Sequence, residues 1–273
     1  MNRKIRYEAR PLTAAAHLPK LTRVTAPSSA PTAGPTADLA QVVLRPVRGH
    51  HAFEACVEQL ATAIRLGVHP NGSTLPSERD LAERMHVSRA TVREAITALR
   101  TAGMVETRRG RGGGSIVTYS PRRPRARAKA PPAETLATWL DSLAFRRIVE
   151  PGAVATAAAH DLTEKQRALL TAAYAGVTKA SGSAAHRQAD SRFHLAFASV
   201  TGSPSIIDAV TRVQATLHDM LLQIPVYDVN IAHSDRQHER ILGAVLEGRP
   251  DRARQTMEEH CDDTAALLRG LLG

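Results

Sequence analysis

The sequence predicts a mainly α-helical protein of two domains: an N-terminal winged helix-turn-helix (three helices and a small β-hairpin wing) and a C-terminal antiparallel all-α bundle of six or seven helices. Three observations lead there. Residues 75–111 hold two capped helical segments separated by a tight turn and followed by a basic, glycine-rich hairpin. From about residue 135 the chain is alanine-rich and helical in pattern, with almost no strand signal. Charge also divides between the halves: residues 1–133 carry 22 Lys+Arg against 9 Asp+Glu, net +13, and residues 134–273 carry 14 against 17, net −3. A basic head on a slightly acidic body suits a module that binds nucleic acid joined to a separate sensor, whereas uniform positive charge would suit a less specific binder.

The 273 residues have room for two ordinary domains and a tail. Residues 1–40 are expected to form a disordered N-terminal arm, because PLTAAAHLPKLTRVTAPSSAPTAGPTA has no sustained apolar period. Its Arg-rich, acid-poor start is similar to an organellar transit peptide, but a loose basic arm agrees better with the rest of the chain. No run of about 18 apolar residues exists, so no membrane span is expected. Cys56 and Cys261 are the sole cysteines, too few for a disulfide framework, and a cytoplasmic location follows.

Residues 41–118 are the expected DNA-binding domain. Phe53, Val57, Leu60 and Ile64 mark a first helix that ends at Gly67. Ser77 caps the second, since its hydroxyl can accept from the free amide of Asp80, and Leu81 and Met85, with Val87, supply its buried side. Ser88 caps the third, whose stripe of Val92, Ala95, Ile96 and Leu99 repeats at three- and four-residue steps up to Gly103. Arg89 and Arg93 lie one turn apart with Thr91 nearby, so two guanidiniums and a hydroxyl stand where they reach guanine edges and phosphates in a major groove. The wing is Val105–Arg109, a tip of Gly110, Arg111, Gly112, Gly113 and Gly114, and then Ser115–Thr118. The glycines do not make a nucleotide loop, because no helix opens after them and no acidic residue follows at the ribose distance.

Residues 119–134, YSPRRPRARAKAPPAE, are expected to be a stiff basic linker, and residues 135–273 an all-helical bundle that forms the separate sensor body. Breaks at Pro151-Gly152, Asp161–Thr163, Ser181–Ser183, Gly202–Pro204, Pro225 and Gly248–Asp251 delimit helices near 135–149, 152–160, 163–180, 184–200, 204–223, 231–247 and 250–271.

Four bundle residues can meet as a metal site. Asp190 and His194 are four apart and share a helix face. His238 and His260 each stand eleven residues from Arg249, which centres the turn between the last two helices, so an antiparallel hairpin sets them at equal height. One carboxylate and three imidazoles suit Zn, Ni, Mn or Fe better than Ca or Mg, which prefer oxygen. His218 and His233 are the nearest decoys, and Cys261 is turned about 100° from His260 on its helix.

LPSERDLAERMHVSRATVREAITALRTAGMVETRRGRGGGSIV, at residues 75–117, resembles the DNA-binding domain of the GntR family of bacterial transcription regulators. The resemblance implies a homodimer binding a short palindromic operator in double-stranded DNA. It places DNA contacts on Arg79, Arg89, Thr91, Arg93, Arg109 and Gly110, with Ala90 where many members have a polar residue. FRRIVEPGAVATAAA, ADSRFHLAFASVTGSPSI and RQHERILGAVLEGRPDRARQTMEEH are similar to the FCD-type effector domain of the family's FadR-like branch. That likeness implies a divalent metal at Asp190, His194, His238 and His260 inside an effector pocket. It also places a conserved-pattern arginine on Arg146, either to clamp a small organic acid or to pair with Glu150 one turn on.

The function expected is a ligand-responsive transcription regulator and not an enzyme, with repression the commoner mode in the family. The alternative is a metal-dependent hydrolase or lyase fused to a DNA-binding head. Such a site needs a general base that is not a ligand, and Glu239, next to His238, is poorly aimed for that task.

Overall fold

The computed structural model describes residues 35–47, 52–110, 113–121, 131–225 and 227–272. The head begins earlier than its motif. Helix α1 (Pro35–Val43) buries Leu39, Ala40 and Val43, with Leu44 just beyond, against α7, α8 and α2, whose bounds follow. The structureless arm expected to reach residue 40 is therefore corrected at residues 35–40, where a short apolar run gains enough buried surface to order a helix. Residues 1–34 lie outside the described residues.

Helix α2 (Ala52–Arg65) buries Cys56, Leu60, Ala63 and Ile64. The expected stripe is corrected in part: Val57 is half-buried and Phe53 is 38% exposed, because the buried face of the helix carries the smaller Cys56 and Ala63 beside Leu60 and Ile64. Helices α3 (Glu78–Met85) and α4 (Arg89–Thr101) are set by their caps. Ser77 Oγ accepts from the Asp80 amide at 3.2 Å and Ser88 Oγ from the Thr91 amide at 3.0 Å. His86, left-handed at φ 53°, closes α3, and Gly103 follows the Ala102 C-cap of α4. Val92, Ala95, Ile96 and Leu99 are buried. Strands β1 (Val105–Arg108) and β2 (Gly114–Val117) pair antiparallel from Val105 opposite Val117 to Arg108 opposite Gly114, and Thr74 bridges Ile116 on the other edge of β2. Wing-tip residues 111 and 112 lie outside the described residues.

Six helices build the remainder: α5 (Ala133–Ala158), α6 (Glu164–Thr178), α7 (Ser183–Val200), α8 (Pro204–Leu221), α9 (Asp228–Leu246) and α10 (Pro250–Leu272). The break expected at Pro151 is corrected, since α5 runs through it for 26 residues. A proline costs a helix interior about 3 kcal/mol, through one lost hydrogen bond and a clash with the carbonyl four residues back. Here Glu150, Pro151, Ala153, Val154, Ala157 and Ala158 are all buried, and α5 packs along α10 and α8, so burial on both sides of the proline outweighs that cost. Phe193 and Phe197 meet edge to face at 4.8 Å in the centre of the bundle.

The head is seated on the bundle by specific polar contacts. Gln188 Nε2 donates to the carbonyls of Ile64 and Arg65 at 3.2 Å each, and Arg192 Nη1 donates to that of Gly67 at 3.1 Å. These α7 side chains donate to carbonyls at the C-terminal end of α2 and just beyond it, where helix carbonyls lack partners within their own helix. Arg65 pairs with Asp219 at 3.2 Å, and Arg45 bridges Asp208 and the Pro204 carbonyl. The expected linker is also shorter at its start: Tyr119 packs into the core with its hydroxyl 3.3 Å from His218 Nε2, and Pro121 is buried. Residues 122–130 lie outside the described residues, and α5 begins at Ala133.

Candidate functional site

On the head, Arg79 lies on α3, while Arg89 opens α4 and Thr91 and Arg93 follow it. Arg109 and Gly110 come directly after β1 at the exposed end of the wing. Arg79, Arg89 and Arg93 are exposed; Thr91 is half-buried, its hydroxyl 2.9 Å from Ser88 Oγ. Arg93 is not free in solution. Its guanidinium donates to the Glu78 carboxylate from Nε at 3.1 Å and from Nη2 at 2.9 Å, fixing its direction from the preceding helix. The pair is largely exposed, so solvent screens it and it adds little to the stability of the fold.

In the bundle, α7, α9 and α10 bring His194, His238 and His260 together. One ring nitrogen of each lies within 4.8 Å of the others, and all three side chains are buried. Equal heights on α9 and α10 bring His238 and His260 together, and α7 supplies His194. Asp190 stands beside the group rather than within it, its Oδ1 3.4 Å from His238 Nε2. Glu150, from α5, approaches from the other side, with Oε2 2.9 Å from His194 Nδ1. His260 Nδ1 is 3.1 Å from Gln237 Oε1.

The chemistry of these nitrogens suits a metal. Burial pulls the His238 pKa down to about 3, against the opposing pull of Asp190, and burial holds His260 well below the ordinary histidine range. Both rings are therefore neutral at pH 7, the form that donates a lone pair to a cation. His194 Nε2 and His238 Nδ1 are buried with no hydrogen-bond partner among the described residues, a costly condition that a bound cation would relieve. The residues fit a divalent metal. Of the decoys, His233 pairs with Asp263 at 2.9 Å, and Cys261 Sγ lies 3.8 Å from Glu150 Oε2.

His260 and Asp190 line a cavity of about 210 Å³, and Arg146 lines it too. Arg146 Nε donates to Glu150 Oε2 at 2.9 Å, while Nη1 and Nη2 are buried without partners among the described residues. Both expected roles are thus present in one side chain: an ion pair through Nε and two donors left over. Burial opposes the Arg146 charge, yet its pKa is raised by Cys261, Glu150 and Asp190; because burial pushes the Cys261 thiol up to about 12, the two carboxylates exert this effect at neutral pH. Burial likewise opposes ionisation of Glu150, but Arg146, His194 and Gln214 hold its carboxyl well below the usual range. Glu239 is exposed and takes no part.

Sequence reasoning missed Arg187, which is buried and lines the same cavity, and the pair Gln188 and Arg192, which grip the head. Arg187 is three residues before Asp190, a spacing that places both on one side of a helix and could have marked it.

Exposed arginines on a winged helix-turn-helix, joined to a helical domain around a histidine-lined cavity, define a DNA-binding regulator with a separate C-terminal module. Two family descriptions match: "Bacterial regulatory proteins, gntR family" over residues 53–113 and "FCD domain" over residues 141–263. The chain is 35% identical over 227 residues to the HTH-type transcriptional regulator RmpR of Mycobacterium gastri, covering 76% of each chain. It is 27% identical over 248 residues to the HTH-type transcriptional repressor NanR of Salmonella typhi, covering 83% of this chain and 88% of NanR. Among solved structures, E. coli McbR/YncC aligns with a TM-score of 0.49 and 17% identity over 81% of this chain and 99% of that one. The chain belongs to the GntR family of bacterial transcription regulators, in the branch that carries an FCD domain; it is a DNA-binding regulator, not an enzyme.

Proposed function

We propose that this chain is a ligand-responsive repressor that binds a short palindromic operator in cytoplasmic DNA as a homodimer, and that a small organic acid held beside a divalent metal modulates it. The observation that carries the reading is the joint lining of one cavity by His260 of the metal-competent group, by Asp190 beside that group, and by Arg146 with two donors unpaired among the described residues. His194, His238 and His260, with Asp190, would hold the metal, of the Zn, Ni, Mn or Fe class. When bound it supplies positive charge at the cavity wall. Arg146 orients a carboxylate by its forked donors, Glu150 and Gln237 fix the His194 and His260 rings, and the surrounding apolar side chains limit water.

Helix α7 supports a route from cavity to head. Its Asp190 and Arg187 face the cavity, while Gln188 and Arg192 hold the end of α2. A shift of α7 on ligand binding re-angles the head, and two heads in a dimer must match successive major grooves. A coupling of about 1–3 kcal/mol, a 5- to 150-fold change in operator affinity, is the expected magnitude.

The test is fluorescence anisotropy on an operator selected from random duplexes, run with metal-free and metal-loaded protein across a panel of organic acids. Specific binding that changes 5-fold or more with an acid that also raises the melting temperature supports the reading. Operator affinity indifferent to every ligand that occupies the cavity would sink it.

A further inference from the structure

Arg187 has no role in what has been described so far. Its side chain is 7% exposed, it lines the cavity, and its Nε and Nη2 have no hydrogen-bond partner among the described residues. A guanidinium so placed is expensive unless an anion reaches it. The carboxylates along the cavity are already engaged. Asp190 stands against His238, and Asp263 takes contacts from His233 and Gln237, the latter at 2.7 Å. The groups that act on Arg187 or that it acts on are Tyr119 and His218, neither of which carries a negative charge at neutral pH. Burial correspondingly pulls its pKa down from the ordinary arginine value.

The cavity therefore presents two buried guanidiniums with spare donors, Arg146 and Arg187. The same lining includes the apolar side chains of Leu217, Leu221, Ile224 and Leu267. At about 210 Å³ it is smaller than the 300–1,000 Å³ of ordinary drug-sized sites, so it fits an acid of a handful of carbons.

From this we infer that the effector is a dianionic organic acid with a short hydrocarbon middle, one anionic group on Arg146 at the metal-competent end and the second on Arg187. The inference rests on the function proposed above and deepens it, because it fixes the charge and shape of the ligand. A monocarboxylate leaves the Arg187 donors unsatisfied and so binds more weakly. A charge-assisted hydrogen bond to a buried partner corresponds to roughly 10- to 100-fold in affinity.

The experiment is calorimetric titration of the metal-loaded full chain with linear α,ω-dicarboxylic acids of four to ten carbons and with monocarboxylic acids of matching length. Expected is an optimum at one chain length among the diacids, about tenfold or more tighter than the matching monoacid. Arg187→Met should erase that preference while leaving monoacid affinity within about twofold, and Arg187→Lys should retain part of it. The unmodified protein decides the matter even if Arg187→Met fails to fold. Equal affinity for diacids and monoacids overturns the inference and leaves the carboxylate site at Arg146 standing. Binding of no acid at all overturns both. A diacid preference that survives Arg187→Met assigns the second anion to another group and overturns the role of Arg187.

Discussion

Arg192 Nη1 donates to the carbonyl oxygen of Gly67 at 3.1 Å, so a bundle helix closes the end of a helix in the DNA-binding head. Gly67 is left-handed at φ 71°, and a Cβ there would come within 2.5 Å of Arg192 Nη1 and 2.7 Å of Gln188 Cβ. Gly67→Ala should therefore destabilise the protein by about 1–3 kcal/mol and weaken the seating of the head. Gly248 has a similar φ of 66° and nothing closer than 3.8 Å to its hypothetical Cβ, so Gly248→Ala isolates the backbone cost. The check is urea denaturation of both variants, with operator binding measured with and without effector. If Gly67→Ala costs no more than Gly248→Ala and responds normally to ligand, this contact plays no part in coupling.

The pairing of Arg93 with Glu78 gives a prediction on DNA. Arg93→Ala should weaken binding to the selected operator by about 1–3 kcal/mol more than binding to random duplex, if this side chain reads a base. Equal losses on both would mark a phosphate contact instead. Glu78→Gln removes a negative charge from the DNA-facing surface and frees Arg93 from its fixed direction. Binding to random DNA should tighten while the ratio of operator to random affinity falls, both read from anisotropy at a stated salt concentration.

For the histidine group the expectation concerns stability. A cation present at 100 times its dissociation constant adds about 2.7 kcal/mol to the folded state. Dialysis against a chelator should lower the melting temperature, and adding Zn²⁺, Ni²⁺ or Mn²⁺ back should restore it. His260→Ala should abolish the metal-dependent shift. His233→Ala should not, since His233 is exposed and pairs with Asp263. Metal analysis of protein purified without added metal gives an independent reading. A metal-dependent rise in melting temperature in His260→Ala equal to that of the unmodified chain would remove His260 from the site.

The head was largely legible in the sequence because its determinants are local. Ser77, Ser88 and Gly103 act within three or four residues of themselves, and each stands where its spacing predicts. The meeting of His194, His238 and His260 was legible too, since helical pitch and one antiparallel turn fix the heights of the last two. Pro151 misled because its local cost is overridden by packing of α5 on α8 and α10, which no neighbouring residue announces. Leu39, Ala40 and Val43 were hidden for the same reason: their helix is ordered by what it touches on α7 and α8. Arg187, Gln188 and Arg192 are polar residues close together on one helix, and only tertiary contacts divide them between cavity and head.

Two buried histidines outside the candidate metal group contribute to the acid sensitivity of the fold. Burial pulls His218 down to about 4, helped by Arg65 and Arg187, and burial pulls His69 down to about 4, helped by Arg84. In the unfolded chain each takes a proton near its ordinary value of 6.5, while in the folded chain each stays neutral until about pH 4. Between those values the unfolded state binds more protons, so stability falls as pH drops and is unaffected by these groups above about 7. The full effect is on the order of 3 kcal/mol per histidine, reached near pH 4. Urea midpoints at pH 7.5, 6.0 and 5.0 should decline, and His218→Asn, which keeps a polar partner for the Tyr119 hydroxyl, should flatten the slope by up to one proton. A slope identical to that of the unmodified protein would mean that His218 is already charged in the folded state and that its pairing with Tyr119 is not the neutral contact described.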